Sequence, residues 1–319
     1  MRALWYAAPG RAELRDETLL PPGPGEVRVR TIWTAPSRGT ERLVFEGRVP
    51  EPLGDRMRAP AQEGDFPFPV KYGYCAVGRI AGEGTLVFAL RPHQEGFNAP
   101  REALAPVPAG VPARRALLAA NMETALTGLW DSGAGPGDRV AVVGGGVVGL
   151  LVAALAAGLP GAEVTLVDRD TARRPVAEAL GATFRPPEDA EGGADVVVHA
   201  SASAEGLALA LALAGDEATI AELSWYGAGT VPVPLGLDFH PRRLRLVSSQ
   251  VGHLPPARLP RWTFRRRLLK ALDLLRDPRL DALITGEVAF GDLPAALPDL
   301  LHPRAPGLCT AVRYLPEEC

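Results

Sequence analysis

The stretch Val140-Ala141-Val142-Val143-Gly144-Gly145-Gly146-Val147-Val148-Gly149 decides the fold. Four apolar, mostly β-branched residues run into three glycines, and a small-residue apolar run then resumes to Ala157. That order predicts a buried strand over 140–143, a tight turn, and a helix over 147–157. Gly144, Gly146 and Gly149 form G-x-G-x-x-G. Gly144 permits the turn, Gly146 lets backbone approach a pyrophosphate, and Gly149 lets helix and strand pack closely. The helix start then presents the N–H groups of Val147 and Val148 and the positive end of its dipole to an anion. A second strand over 163–167 runs into Asp168. A carboxylate there can accept the hydroxyls of an adenine ribose and would repel a 2′-phosphate. The pattern points to a dinucleotide, NAD(H) first. Arg169, Arg173 and Arg174 stand close by and keep NADP(H) open. The competing reading is a glycine-rich turn that binds nothing.

Strand–helix alternation continues downstream. A helix is expected over 172–180, a strand over 195–199, a helix over 204–213, and strands over 218–223 and 244–248. Repeated βα alternation predicts a parallel, doubly wound sheet, whose ligands lie outside the strand C-termini. His199, Ala200 and Ser224 end strands on that edge, so they are expected beside the cofactor. Trp225 and Tyr226 could flank cofactor or substrate, or pack against other protein. The segment 248–252 is expected to offer backbone contacts to the nicotinamide amide.

Upstream the character differs. Residues 1–100 are rich in Pro, Gly and short β runs, and Glu26-Val27-Arg28-Val29-Arg30-Thr31-Ile32 alternates with period two. Further strands are expected over 77–80 and 85–88, and a helix over 113–130. After Pro260 an amphipathic helix is expected over 262–275, with Arg265-Arg266-Arg267 as its solvated face. A helix over 293–301 should be broken or kinked at Pro298, and a closing strand should occupy 308–314. The expected organisation is a β-rich domain over 1–115, a dinucleotide-binding domain over 116–258, and a segment over 259–319 returning to the first domain.

Bulk properties bound the function. The chain has 319 residues, enough for two cores. Its formal net charge of −3 argues against nucleic acid as a partner. Cys75, Cys309 and Cys319 show no paired spacing, which fits a reducing compartment. Residues 1–8 do not read as a secretory signal. The apolar run 140–159 carries five glycines and reads as strand, turn and helix instead of a membrane span. We therefore expect a soluble, cytoplasmic protein with a small-molecule substrate, and neither nucleic acid nor membrane as partner.

Together these features resemble the medium-chain dehydrogenase/reductase superfamily over nearly the whole chain. Ser37-Arg38-Gly39-Thr40-Glu41 resembles its Cys-x-Ser/Thr-Asp segment. Gly73-Tyr74-Cys75-Ala76-Val77-Gly78 resembles its Gly-His-Glu-x-x-Gly segment, and Gly84-Thr85-Leu86-Val87 the Gly-Asp-Arg-Val that follows. Glu123-Thr124-Ala125-Leu126 resembles the Glu-Pro-Leu segment of its polyol and threonine dehydrogenases. The wording of residues 37–50 and 88–94 resembles a branch near the bacteriochlorophyllide dehydrogenases. The resemblance implies a GroES-like β-rich catalytic domain completed by the C-terminal segment, a Rossmann domain, an active site between domains, and a homodimer.

The sequence departs from this family at zinc. Arg38, or Ser37 after a slip of one, stands where the first zinc Cys belongs. Tyr74 replaces the zinc His, and Cys75 the next Glu. Only Glu123 keeps a plausible ligand, whereas catalytic zinc needs about three. The four-Cys structural zinc loop is also absent. We therefore expect neither catalytic nor structural zinc, and no metal ligands. Something else must then stabilise charge on the substrate oxygen. Arg38 or Tyr74 could act as electrophile, Thr40 could pass a proton, and His93 could donate one. Each has a plainer reading: Arg38 pairing with Glu41 or Glu123, Tyr74 filling space, Thr40 serving a turn, His93 lying in a surface loop, and Cys75 as a small buried hydrophobe. The expected activity is zinc-independent hydride transfer between NAD(P) and a carbonyl/alcohol or an activated alkene. The alternatives are a non-catalytic dinucleotide-binding redox sensor or structural relative, and a zinc enzyme with an altered ligand set.

Overall fold

The computed structural model describes residues 1–314 as two compact units. Cys319 lies outside the described residues. One unit comprises residues 1–120 with the C-terminal portion from Leu268; the other comprises Asn121–Arg267. The sequence placed the corresponding boundaries after 115 and 258.

The second unit is a six-stranded parallel sheet. Its strands, across the sheet, are Thr183–Arg185, Glu163–Val167, Arg139–Val143, Ala194–His199, Ala214–Glu222 and Arg245–Ser248. In chain order this is 3-2-1-4-5-6, the doubly wound dinucleotide-binding topology. The order reverses between Arg139–Val143 and Ala194–His199, so the ligand crevice of such a sheet opens beyond Val143 and His199. The helices Val147–Ala157 and Ala204–Leu213 begin and end where the sequence placed them. Both are apolar almost all round, as crossover helices buried against a sheet are. Val197 and Ile220 of adjacent strands pack with Ala210 and Leu211 of the second helix.

The first unit holds two sheets. One joins Arg11–Asp16, Arg2–Ala8, Val70–Lys71 and Glu63–Gly64. The other runs Ile284–Ala289, Cys309–Arg313, Glu26–Thr34, Ala76–Ile80, Leu86–Ala89 and Ala105–Pro106, with Gly96–Pro100 also paired to Glu26–Thr34. Val312 and Arg313 pair antiparallel with Thr34 and Trp33, so the C-terminal strand completes a sheet begun near residue 26. The α/β class, with a parallel Rossmann sheet and a separate β-rich unit, is as expected.

Three local expectations are corrected. The helix expected over 113–130 is two helices, Ala113–Ala116 and Ala119–Ser132. Pro298 lies inside the intact helix Leu293–Leu300. The helix ends two residues later, so little of the hydrogen-bond ladder is lost, and Leu293, Leu297 and Leu301 are buried along one face. The third concerns Arg267, expected on a solvated face; it is 3% exposed. No helix among the described residues is long and apolar enough to cross a membrane.

Candidate functional site

The glycine loop forms first from backbone geometry. Gly144 has φ +112, where L side chains are strained, and a Cβ there would sit 2.7 Å from the Ser201 nitrogen. A Cβ on Gly149 would lie 1.9 Å from the Gly144 carbonyl oxygen. Gly146 is different: it caps the helix N-terminus, no side chain satisfies that end, and nothing lies within 4 Å of its Cβ position. The N–H groups of the first turn, at Val147 and Val148, have no intrahelical acceptor and no side-chain cap at Gly146. Asp168 closes one side. Its Oδ2 accepts from the Gly145 N–H at 2.5 Å and its Oδ1 from the Asp170 N–H at 2.7 Å. Arg169 is exposed, and Arg173 lies along the loop while pairing with Asp170 at 3.1 Å.

A buried polar cluster lies across the crevice. His199 is fully buried at the end of its strand, directly paired in register with Glu222. Its Nδ1 lies 2.6 Å from Glu222 Oε2 and its Nε2 2.6 Å from Ser201 Oγ. Ser201 Oγ continues to Ser203 Oγ at 3.0 Å. Tyr226 donates to Glu222 Oε2 at 3.0 Å, and the Ser224 N–H to Glu222 Oε1 at 2.7 Å. Burial pushes the Glu222 carboxyl up, but hydrogen bonds from His199 and Ser224 outweigh it and hold the group below its ordinary value. Burial beside Glu222 pushes the Tyr226 phenol up. Ala200 follows His199, and its N–H donates to Val143 O at 2.8 Å, tying the two crevice strands together. Sequence reading named His199, Ala200 and Ser224 as residues expected beside the cofactor and gave no role to Ser201 or Glu222. The spacing of Glu222 from His199 becomes meaningful only when their strands pair.

In the first unit, Glu41 is fully buried and collects three donors. Tyr6 Oη lies 2.7 Å from its Oε2, His93 Nε2 2.9 Å from the same atom, and the Ser37 N–H 2.8 Å from Oε1. His93 is 1% exposed, and its Nδ1 meets Thr34 Oγ1 at 2.7 Å. Thr34 Oγ1 in turn meets Tyr314 Oη at 3.1 Å. His93 thus lies in a buried chain, not in a surface loop. Gly73, at φ +133, leaves room for its imidazole; a Cβ there would be 2.9 Å from Cδ2. Next to Gly73, Tyr74 hydrogen-bonds Ser37 and Thr40, and Thr40 opens the short helix Thr40–Phe45. Burial raises the Tyr74 phenol and these hydroxyls partly offset the rise, so it stays protonated at neutral pH. Arg38 donates to the carbonyl oxygens of Ala305, Pro306 and Gly307. Neither carboxylate proposed as its partner shares these bonds. Cys75 is buried.

Glu123 is 5% exposed, and its Oε1 accepts from Arg267 Nε at 2.9 Å. Burial raises its carboxyl and the Arg267 charge opposes that rise.

The chain is 25% identical over 332 aligned residues to D-guloside 3-dehydrogenase of Escherichia coli (strain K12), with 92% of this chain and 94% of that protein covered. No family model matches it. A solved structure described as a zinc-binding dehydrogenase, from Sinorhizobium meliloti 1021 and bound to NADP, superposes with a TM-score of 0.77 at 20% identity, covering 98% of each chain. The short chain alcohol dehydrogenase rspB of Escherichia coli CFT073, complexed with NADH, superposes at 0.76 and 16% identity, covering 98% of this chain and 99% of that one. The chain shares the fold of these dehydrogenases.

The residues at the positions in question do not fit a catalytic zinc. Arg38 is a cation bound to backbone carbonyls. Tyr74 is a phenol held protonated. Glu123 is already paired with a buried guanidinium. Among the described residues, no group of three or more His, Cys, Asp or Glu is placed to hold a metal ion.

Proposed function

We propose that the chain is a medium-chain dehydrogenase/reductase that binds NAD(H) in preference to NADP(H), works without zinc, and transfers hydride between the nicotinamide and a secondary alcohol or ketone carbon of a polyhydroxylated small molecule. The observation that carries the reading is the loop at Gly144–Gly149. Space is kept clear before a helix N-terminus at Gly146, and a carboxylate, Asp168, is fixed beside it. Val147 and Val148 N–H groups would take the pyrophosphate, and Asp168 the adenine-ribose hydroxyls. When bound, the cofactor supplies or takes up hydride at nicotinamide C4. A relative named for dehydrogenating a guloside at position 3, matched over nearly its full length, favours alcohol/ketone chemistry over alkene reduction.

Ketone reduction also needs a proton at the oxygen. Tyr74 holds one at Oη, remains protonated because burial disfavours phenolate, and is linked to Ser37 and Thr40 through hydroxyls that can resupply it. Arg38 and His93 are committed elsewhere, to the 305–307 carbonyls and to the Glu41–Thr34 chain. We assign Tyr74 as the proton donor and Thr40 as its relay.

Trp fluorescence titration of the metal-free protein with NADH and NADPH tests the cofactor assignment. Tight NADH and weak NADPH binding is expected. The reverse preference would transfer cofactor choice to Arg169, Arg173 and Arg174, and binding of neither would sink the dehydrogenase reading. For turnover on cyclic polyols and keto sugars, Tyr74→Phe is expected to lower kcat by about 100-fold or more. Chelator-treated protein with less than about 0.1 equivalent of zinc should keep its activity; loss restored by zinc would overturn the zinc-free assignment.

A further inference from the structure

Arg267 is the only one of three successive arginines to be buried, and its guanidinium donates four hydrogen bonds to specific partners. Nε donates to Glu123 Oε1 at 2.9 Å. Nη1 donates to Thr127 Oγ1 at 3.1 Å and to His253 O at 3.3 Å. Nη2 donates to Val251 O at 2.7 Å. Two of these partners lie on the helix Ala119–Ser132 and two on the segment that follows the strand Arg245–Ser248. A third residue of that helix, Asp131, hydrogen-bonds the Ser249 side chain; burial raises its carboxyl, while Ser249 and the Arg267 charge oppose the rise. Glu123, Thr127 and Asp131 are spaced i, i+4, i+8 and so share one helix face. That face grips the segment 249–253 at both ends, through Ser249 directly and through Arg267 at Val251 and His253.

This segment leaves the sheet at strand C-termini, the same edge as Gly144 and Ala200. We propose that Arg267 is a positioning residue: with Glu123, it clasps the segment 249–253 in the shape that receives the nicotinamide end of the cofactor. This rests on the dinucleotide reading above. The clasp also explains the fate of Glu123. Its charge is balanced by a guanidinium built into the chain, in a protein whose other zinc-ligand positions are occupied by Arg38 and Tyr74. A fork of planar donors suits this task because it satisfies one carboxylate, one hydroxyl and two carbonyls at fixed angles, which an ammonium cannot do.

The clasp predicts an effect confined to one half of the ligand. Calorimetric titration of full-length protein with NADH and with ADP-ribose, which lacks nicotinamide, separates the halves. Arg267→Lys is expected to weaken NADH about tenfold, equivalent to about 1.4 kcal/mol, while ADP-ribose affinity stays unchanged. Thr127→Val removes one hydroxyl partner and leaves the ion pair intact, so it should weaken NADH by a smaller factor in the same selective way. It serves as the test should Arg267→Lys fail to fold. Equal weakening of both ligands, or of neither, would overturn the clasp. Failure of the wild-type protein to bind either ligand would instead overturn the dinucleotide reading on which the clasp rests.

Discussion

At the scale of single residues, the glycines of the loop answer to different demands, and substitution separates them. Gly149→Ala places a methyl 1.9 Å from the Gly144 carbonyl oxygen, so helix and strand must part. It should lower the melting temperature and weaken NADH together. Gly146→Ala meets nothing within 4 Å, and its φ of −74 suits any residue. It should leave the melting temperature unchanged and still weaken NADH about tenfold, because the new methyl occupies space reserved for phosphate. Parallel thermal melts and NADH titrations check both; a Gly146→Ala variant with wild-type affinity would mean the open space is not used. The steric demands at Gly144 and Gly149 were legible from G-x-G-x-x-G alone. The role of Arg267 was not: in sequence it stands in a run of like charges, and only its position on the helix decides that it turns inward.

At the scale of elements, register brings the strand ends Ala194–His199 and Ala214–Glu222 together so that His199 faces Glu222. The Glu222 carboxyl is held below its ordinary value of 4.5 in the folded protein. Its ionised form is therefore stabilised by folding. That contribution is present above pH 4.5 and is lost as pH falls through the lower folded-state value. The wild-type urea midpoint should drop more steeply across this acid window than that of Glu222→Gln, and identical slopes would show that the pair contributes no pH-linked stability. The helix Val147–Ala157 was readable to the residue, because one uninterrupted small apolar run follows the glycines. The hairpin of Arg2–Ala8 and Arg11–Asp16 was not picked out, since the alternation in its second strand is short, with only Ala12 and Leu14 as apolar residues among four charged ones. The strand Ile284–Ala289 was also missed; its residues are mostly half-buried or exposed.

At the scale of the molecule, the parallel sheet ends on Arg245–Ser248, which among the described residues has a hydrogen-bonded neighbour on one side only. Such an edge offers unpaired N–H and C=O groups. We propose, in keeping with the family resemblance, that a second copy of the chain covers it as a homodimer. Light scattering should give twice the mass of the 33.7 kDa chain, and a monomer at micromolar concentration would refute the proposal.

Sequence by itself determined the class of the protein. Apolar strands, small-residue helices and three spaced glycines are local constraints on backbone conformation, and they leave little alternative to a doubly wound sheet with a dinucleotide crevice. It also raised the expectation that other residue types stand in for the zinc ligands, because ligand chemistry is read from residue type. What replaced them was decided by tertiary structure. Burial and pairing join residues far apart in the chain: Arg38 with the 305–307 carbonyls, His93 with Glu41, and Glu123 with Arg267. A charged side chain acts according to the partners that fold places around it, and no periodicity in the chain encodes those partners.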